Sequence, residues 1–245
     1  PVKGQILLEK TGQMQTTGEQ GYLKGAVFEI RAAEDIIGQD GTPWYSCGEL
    51  VATMTTSGEG VEKSPLLPLG KYTVKEVSAP SGYVLDLTTY TVEIQASDQE
   101  TPIVSATVSS INHPAEILLQ KTEADGKALS GAQFVLLDAD GCETASAVSD
   151  ADGLVRFRFV PQGQYTICET SAPDGYLLIR SAISVTVTPN WTNAEEPIAT
   201  MVNQQKKIQE HFPLIQALLL QSLILFLYLV FQIKERYFSL LDCFL

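Results

Sequence analysis

Tyr72-Thr73-Val74-Lys75-Glu76-Val77-Ser78-Ala79-Pro80-Ser81-Gly82-Tyr83 returns later in the chain as Tyr165-Thr166-Ile167-Cys168-Glu169-Thr170-Ser171-Ala172-Pro173-Asp174-Gly175-Tyr176. A match of this length between distant stretches marks an internal repeat, and the flanking sequence extends it. Gln5-Ile6-Leu7-Leu8-Glu9-Lys10-Thr11 recurs as Glu116-Ile117-Leu118-Leu119-Gln120-Lys121-Thr122, and Leu23-Lys24-Gly25-Ala26-Val27-Phe28 as Leu129-Ser130-Gly131-Ala132-Gln133-Phe134. Each unit closes on an apolar residue followed by Asn, at Ile111-Asn112 and Val202-Asn203. These motifs stand in the same order in both copies, which places domains at residues 1–113 and 114–205 and leaves 206–245 as a tail. The stretch from Lys to Glu is longer in the first unit. Much of the excess falls between Arg31 and Gly60, where Gly38, Gly41, Pro43, Gly48, Gly58 and Gly60 mark turns.

Both units read as β-structure throughout: short runs of Val, Ile, Thr and Tyr broken by clusters of Gly, Pro, Asp and Ser. Ala-Pro-Ser-Gly and Ala-Pro-Asp-Gly place Pro and Gly at the second and fourth positions of an expected type I turn. Short strands at such spacing predict an all-β fold, two tandem sandwiches. With 245 residues, 44% of them hydrophobic, there is ample material for packed cores.

A formal net charge of -13 argues against nucleic acid or anionic lipid as a partner and suits an extracellular surface. The four cysteines, Cys47, Cys142, Cys168 and Cys243, are too scattered for a disulfide framework. His113 and His211 lie far apart, so no metal site or cofactor is expected. The chain opens at Pro1 without an initiator Met or an apolar leader, and is read as a mature or truncated piece. After Gln205 the character changes. Phe212 to Ile233 carries no charge and is followed by Lys234-Glu235-Arg236. A helix of that length can span a bilayer, with the basic flank inside; the other reading is a tail unrelated to the native protein, such as a misread frame.

Side chains two apart on a strand share a face. Glu76 therefore joins Tyr72 and Val74 on the apolar side, and Glu169 joins Tyr165 and Ile167. By the same alternation Ile6 and Leu8 bring Lys10 inward, and Ile117 and Leu119 bring Lys121. Charges of opposite sign aimed at one core must meet, since such groups are almost never buried unpaired. Asn112 and Asn203 are placed by position, each ending the last strand of its unit, because Ser110 and Met201 give their faces only a weak apolar pattern. From the residues alone, an unreactive polar network of Lys, Glu and Asn is as admissible as a reactive one.

A Lys-ended first strand, a Leu-x-Gly-Ala-x-Phe strand, the Glu-bearing box and a terminal Asn together resemble the collagen-adhesin B-type domains, also called SpaA-type prealbumin-like pilin domains. The resemblance covers residues 1–205. It implies prealbumin-like (Ig-like) sandwiches in which Lys and Asn side chains join as an intramolecular isopeptide bond assisted by Glu. Carried over by motif, the sets are Lys10, Glu76, Asn112 and Lys121, Glu169, Asn203. In that chemistry a neutral amine attacks the Asn carboxamide, a protonated Glu hydrogen-bonds the amide oxygen and moves protons to the departing ammonia, and fixed proximity supplies most of the rate. It is a single-turnover self-modification rather than an enzyme activity.

The resemblance implies a structural stalk or pilin-type segment on the surface or cell wall of a Gram-positive bacterium, with neighbouring domains of the same protein as partners. The alternative is an adhesin that binds a host matrix protein or glycan through the 31–60 insertion, where Trp44 and Tyr45 stand. An enzyme is the least supported class: no phosphate loop, metal motif or Ser-His-Asp arrangement is present, and Cys47 reads as a small half-buried side chain. The sequence departs from the family in lacking a Leu-Pro-x-Thr-Gly signal before the apolar tail, where Phe212-Pro213-Leu214-Ile215-Gln216 stands, and in lacking a Tyr-Pro-Lys-Asn motif. Sortase anchoring and shaft polymerisation are therefore not carried by the resemblance.

Overall fold

The computed structural model of the chain describes residues 2–38, 40–96, 103–206 and 212–241. The first domain contains β1 (Lys3–Gln13), β2 (Gln20–Tyr22), β3 (Lys24–Ala32), β4 (Ile36–Ile37), β5 (Pro43–Tyr45), β6 (Leu50–Ser57), β7 (Glu62–Lys63), β8 (Gly70–Ser78), β9 (Thr89–Ile94) and β10 (Ile103–Asn112). The second contains β11 (Glu116–Glu123), β12 (Gln133–Leu137), β13 (Glu143–Val148), β14 (Leu154–Arg158), β15 (Gly163–Ser171), β16 (Ile183–Val187) and β17 (Thr200–Asn203). Burial alternates along these strands, as a sheet with one face on a core requires.

Each domain packs one sheet built on its opening strand against a four-stranded antiparallel sheet. In the first domain these run β10-β1-β2, with β7 also on β1, and β6-β3-β8-β9; in the second, β14-β11-β17 and β13-β12-β15-β16. The first and last strands of each domain are parallel neighbours. Lys3 pairs with Ile103 and the register continues to Gly12 with Asn112; Gln120 pairs with Thr200 and the register continues to Glu123 with Asn203. Such pairing requires the whole remainder of the domain as a crossover.

Between the sheets of the first domain lie Ile6, Leu8, Phe28, Ile30, Tyr72 and Val74, and Ile117, Leu119, Phe134, Phe157 and Ile167 fill the second core. The excess length of the first unit is largely the β4–β5 hairpin. It occupies the span between β3 and β6, where the second domain has only the turn from Asp138 to Cys142 between β12 and β13.

The turn after the Glu box differs from the type I expected. The amide of Tyr83 donates to Pro80 O and that of Tyr176 to Pro173 O, both at 3.1 Å, so Gly82 and Gly175 occupy the third position, with φ of 84° and 86°. Glycine takes a positive φ without strain, and this moves the turn one residue along, into type II.

The first of these turns docks on the second domain. The Tyr83 ring meets Phe159 edge to face at 5.6 Å, and a Cβ on Gly82 would lie 2.8 Å from Phe159 O. The strap between domains is held on both sides. Ala115 N donates to Gly82 O, Val84 N to His113 O, Val160 N to Ala115 O, and Asn193 Nδ2 to Pro114 O. The Arg158 guanidinium donates to Gln13 Oε1 at 2.7 Å.

Phe212–Leu241 form α1, which belongs to a separate unit of the chain. Leu219–Ile233 are the residues of this helix whose side chains are described, and each is exposed. Among the described residues no helix is long and apolar enough to cross a membrane, and of the span read over 212–233 the side chains of 212–218 lie outside what is described. His211 and Cys243 also lie outside the described residues.

Candidate functional site

The alternation of β1 and β8 carries Lys10 and Glu76 to the interior, where they are 1% and 0% exposed. β10 does the same for Val108, Ser110 and Asn112, all buried, so the weak apolar pattern before Asn112 conceals a fully inward face. The three side chains meet between the sheets. Lys10 Nζ lies 3.2 Å from Glu76 Oε1, and Glu76 Oε2 accepts from Asn112 Nδ2 at 2.8 Å. Asn112 Nδ2 also donates to Val84 O at 2.7 Å, a carbonyl that can only accept, and this fixes the amide orientation. Its Oδ1 is buried with no hydrogen-bond partner.

The second domain repeats the arrangement around Glu169 and Asn203. Asn203 Nδ2 donates to Glu169 Oε2 at 3.1 Å and to Leu177 O at 2.7 Å, again leaving Oδ1 buried without a partner. In both domains the Glu touches the amide nitrogen, the group that would depart, rather than the amide oxygen. Lys121 is fully buried, but its Nζ donates to Met201 O at 2.7 Å and Thr122 O at 3.3 Å, and among the described residues it forms no ion pair with Glu169.

Ser110, Asp86 and Tyr90 belong to the first site although no sequence motif picks them out. Lys10 Nζ donates to Ser110 Oγ at 2.7 Å, Ser110 Oγ donates to Asp86 Oδ2 at 2.6 Å, and Tyr90 OH donates to the same oxygen at 2.7 Å. One signal was available. Ser110 is the inward residue two before Asn112 and lies opposite Lys10 in register. Asp86 arrives through a loop whose course no periodicity reveals.

Burial pushes the Lys10 amine below its ordinary range, with Glu76 and then Asp86 acting against that shift. Burial likewise lowers Lys121, opposed by Glu169 alone. For Asp86, burial pulls the carboxyl up, but hydrogen bonds from Ser110, Thr88 and Tyr90 outweigh it and hold the group at about 2. In the first domain an amine pressed toward neutrality and a carboxamide nitrogen rest on the two oxygens of one carboxyl group, which are the parts of an amide-exchange reaction.

The insertion and the cysteines offer less. Tyr45 packs against the first core, whereas Trp44 on the same hairpin is 41% exposed. Cys47 is exposed rather than half-buried, since its turn lies outside the sandwich, held by Asp35 Oδ1 on the Cys47 amide and by its thiol on Ala33 O. Among the described residues no cluster of His, Cys, Asp and Glu could hold a metal ion.

Two tandem sandwiches that, among the described residues, gather their buried Lys, Glu and Asn between the sheets define a structural module of the pilin and surface-protein kind. The chain belongs to the SpaA prealbumin-like fold domain family, whose description matches residues 4–108 and 115–205. Serine-aspartate repeat-containing protein F of Staphylococcus epidermidis is 28% identical over 148 residues, covering 53% of this chain and 9% of that protein. The chain thus spans under a tenth of the length of the curated relatives it matches. Among solved structures, the Bacillus anthracis TIE protein is 26% identical with a TM-score of 0.43, covering 83% of this chain and 34% of that one. The shaft pilin SpaA of Lactobacillus rhamnosus GG is 17% identical with a TM-score of 0.37, covering 85% of this chain and 99% of that one. A C-terminal fragment of the pilus adhesin SpaC of Lactobacillus rhamnosus GG is 18% identical with a TM-score of 0.43, covering 83% of this chain and 98% of that one.

Proposed function

We propose that the chain is a stalk or pilin-type segment of a Gram-positive cell-surface protein, in which each domain joins its first and last strands covalently. We place the domains at residues 1–113 and 114–205, with 206–245 as a tail. The bonds are Lys10–Asn112, promoted by Glu76, and Lys121–Asn203, promoted by Glu169.

One observation carries this reading: each domain holds a buried Lys, Glu and Asn on its first, central and last strands, with the Asn nitrogen on the Glu carboxyl. In the reaction the amine nitrogen bonds to the Asn side-chain carbonyl carbon, the bond from that carbon to Nδ2 breaks, and the amine proton passes through Glu to the nitrogen that leaves as ammonia. Water is excluded by the core, so hydrolysis does not compete. Proximity favours the same outcome, because both groups are fixed before reaction.

Intact-mass measurement of the full chain tests the reading. The expected mass is that of the sequence less two ammonia molecules. An unaltered mass would refute both bonds, and loss of one would confine the chemistry to one domain.

A further inference from the structure

The two sites share Lys, Glu and Asn but differ in what surrounds the amine. Asp86 N and Ile179 N make the same hydrogen bond to the Glu Oε2 of their domains, at 2.6 and 2.7 Å, so Ile179 stands where Asp86 stands. Ser110 pairs with Lys10 and Met201 with Lys121 in the parallel ladders, so Met201 replaces Ser110. Tyr90 pairs with Val74 and Ile183 with Ile167, so Ile183 replaces Tyr90. A polar clamp on the amine in the first domain has become an apolar lining in the second.

Lys10 meets Glu76 from β8, Ser110 from β10 and the Phe28 ring from β3 at 5.4 Å; behind these stand Asp86 from the loop after β8, bonded to Ser110, and Asn112 of β10, bonded to Glu76. Tyr90 of β9 touches Asp86, and Glu9 points away to Ser109. Two acids therefore bear on Lys10. Glu169 of β15 is the acid that bears on Lys121, whose hydrogen bonds end on carbonyl oxygens. A serine hydroxyl that donates to Asp86 turns its lone pairs toward Lys10, which favours an ammonium there. An ammonium has no lone pair and cannot attack. Asp86 itself lines an open surface pocket of about 460 Å³, together with Val84, Tyr90, Ser109 and His113.

Resting on the cross-link reading above, we propose that Ser110 and Asp86 are positioning residues that oppose loss of the Lys10 proton and delay the first domain's bond, so that the second domain joins first. The first step in domain one is loss of the Lys10 proton through Ser110 to Asp86, which passes it to solvent at the pocket it lines; the neutral amine then attacks Asn112 and ammonia leaves as before. In domain two burial favours the neutral amine against Glu169 alone, with no Ser–Asp pair beside it. The delay shortens as pH rises, since hydroxide removes the proton that the clamp retains.

The test is a short cell-free synthesis of the full chain at several pH values, quenched in denaturant and digested, with the cross-linked peptide of each domain quantified by mass spectrometry. In the wild type the second domain's peptide is expected several-fold ahead of the first at neutral pH, the gap closing at alkaline pH. D86N and S110A should each bring the first domain forward several-fold, D86E should restore the delay, and the second domain should not change. S110A leaves Asp86 and its loop in place, so it decides the matter if D86N fails to fold. Equal rates for the two wild-type domains at every pH, or slowing of the first domain in S110A, overturn this inference alone. Absence of any cross-linked peptide in the wild type overturns the underlying reading and this inference with it.

Discussion

Lys10 and Ser110 face each other across the parallel strands β1 and β10, and the amine meets the hydroxyl at 2.7 Å. Asn112 is the next inward residue along β10, so the flexible lysine stem has one inward step to travel to the amide it would join.

Replacing that amide isolates each bond. N112A is expected to keep one ammonia more than the wild type, with the loss mapped to the second domain alone, and N203A the reverse. A cross-link that closes a loop of about a hundred residues stabilises by roughly 4 to 5 kcal/mol through the unfolded chain, by analogy with a disulfide. Calorimetry should therefore show the altered domain melting well below its untouched partner.

E76Q and E169Q preserve shape and hydrogen-bonding capacity but cannot pass a proton to the leaving nitrogen. Each is expected to leave its own Lys and Asn unjoined and the other domain unaffected, as read by peptide mass mapping. Full ammonia loss in both variants would remove the Glu residues from the mechanism while leaving the Lys–Asn pairing standing.

Asp86 makes the first domain sensitive to acid. Its carboxyl sits at about 2, below an ordinary value of 3.8, so the folded state favours the ionised form. The resulting stabilisation is complete above pH 3.8 and is lost as pH falls through that window to about 2. Acid titration of the N112A chain, followed by circular dichroism, should show a first-domain transition in this range that flattens when D86N is added.

Gly82 governs the junction. An alanine there would need a positive φ and would set its Cβ 2.8 Å from Phe159 O, a backbone atom that cannot rotate away. G82A is expected to cost on the order of 1 to 3 kcal/mol of local stability and to expose the strap at His113–Ala115 to limited proteolysis, with both cores melting as before.

Strand alternation was enough to place Lys10, Glu76, Lys121 and Glu169 in the core, because a charged residue in step with Ile, Leu, Val and Tyr has one face to occupy. The parallel partnership of first and last strands was not legible, since periodicity reports which face a residue takes and nothing about which strand lies beside it. Asp86 escaped for a related reason: it reaches Ser110 from a loop, where position depends on the folded chain. The type I turn failed on a local contest, in which Gly82 and Gly175 accept a positive φ and outweigh the preference of Pro for the second turn position.

The parallel ladder between β1 and β10 decides how the first domain meets a pull. The chain enters at Lys3 and leaves at Asn112, opposite ends of two strands running the same way. Tension along the chain then slides one strand lengthwise against the other in shear, and the rungs yield together rather than peeling in succession. β11 and β17 are threaded in the same sense, from Glu116 to Asn203. Resistance to traction thus resides in two strands per domain. The β4–β5 hairpin lies off this line of force, and its tip can be lengthened without weakening the tether.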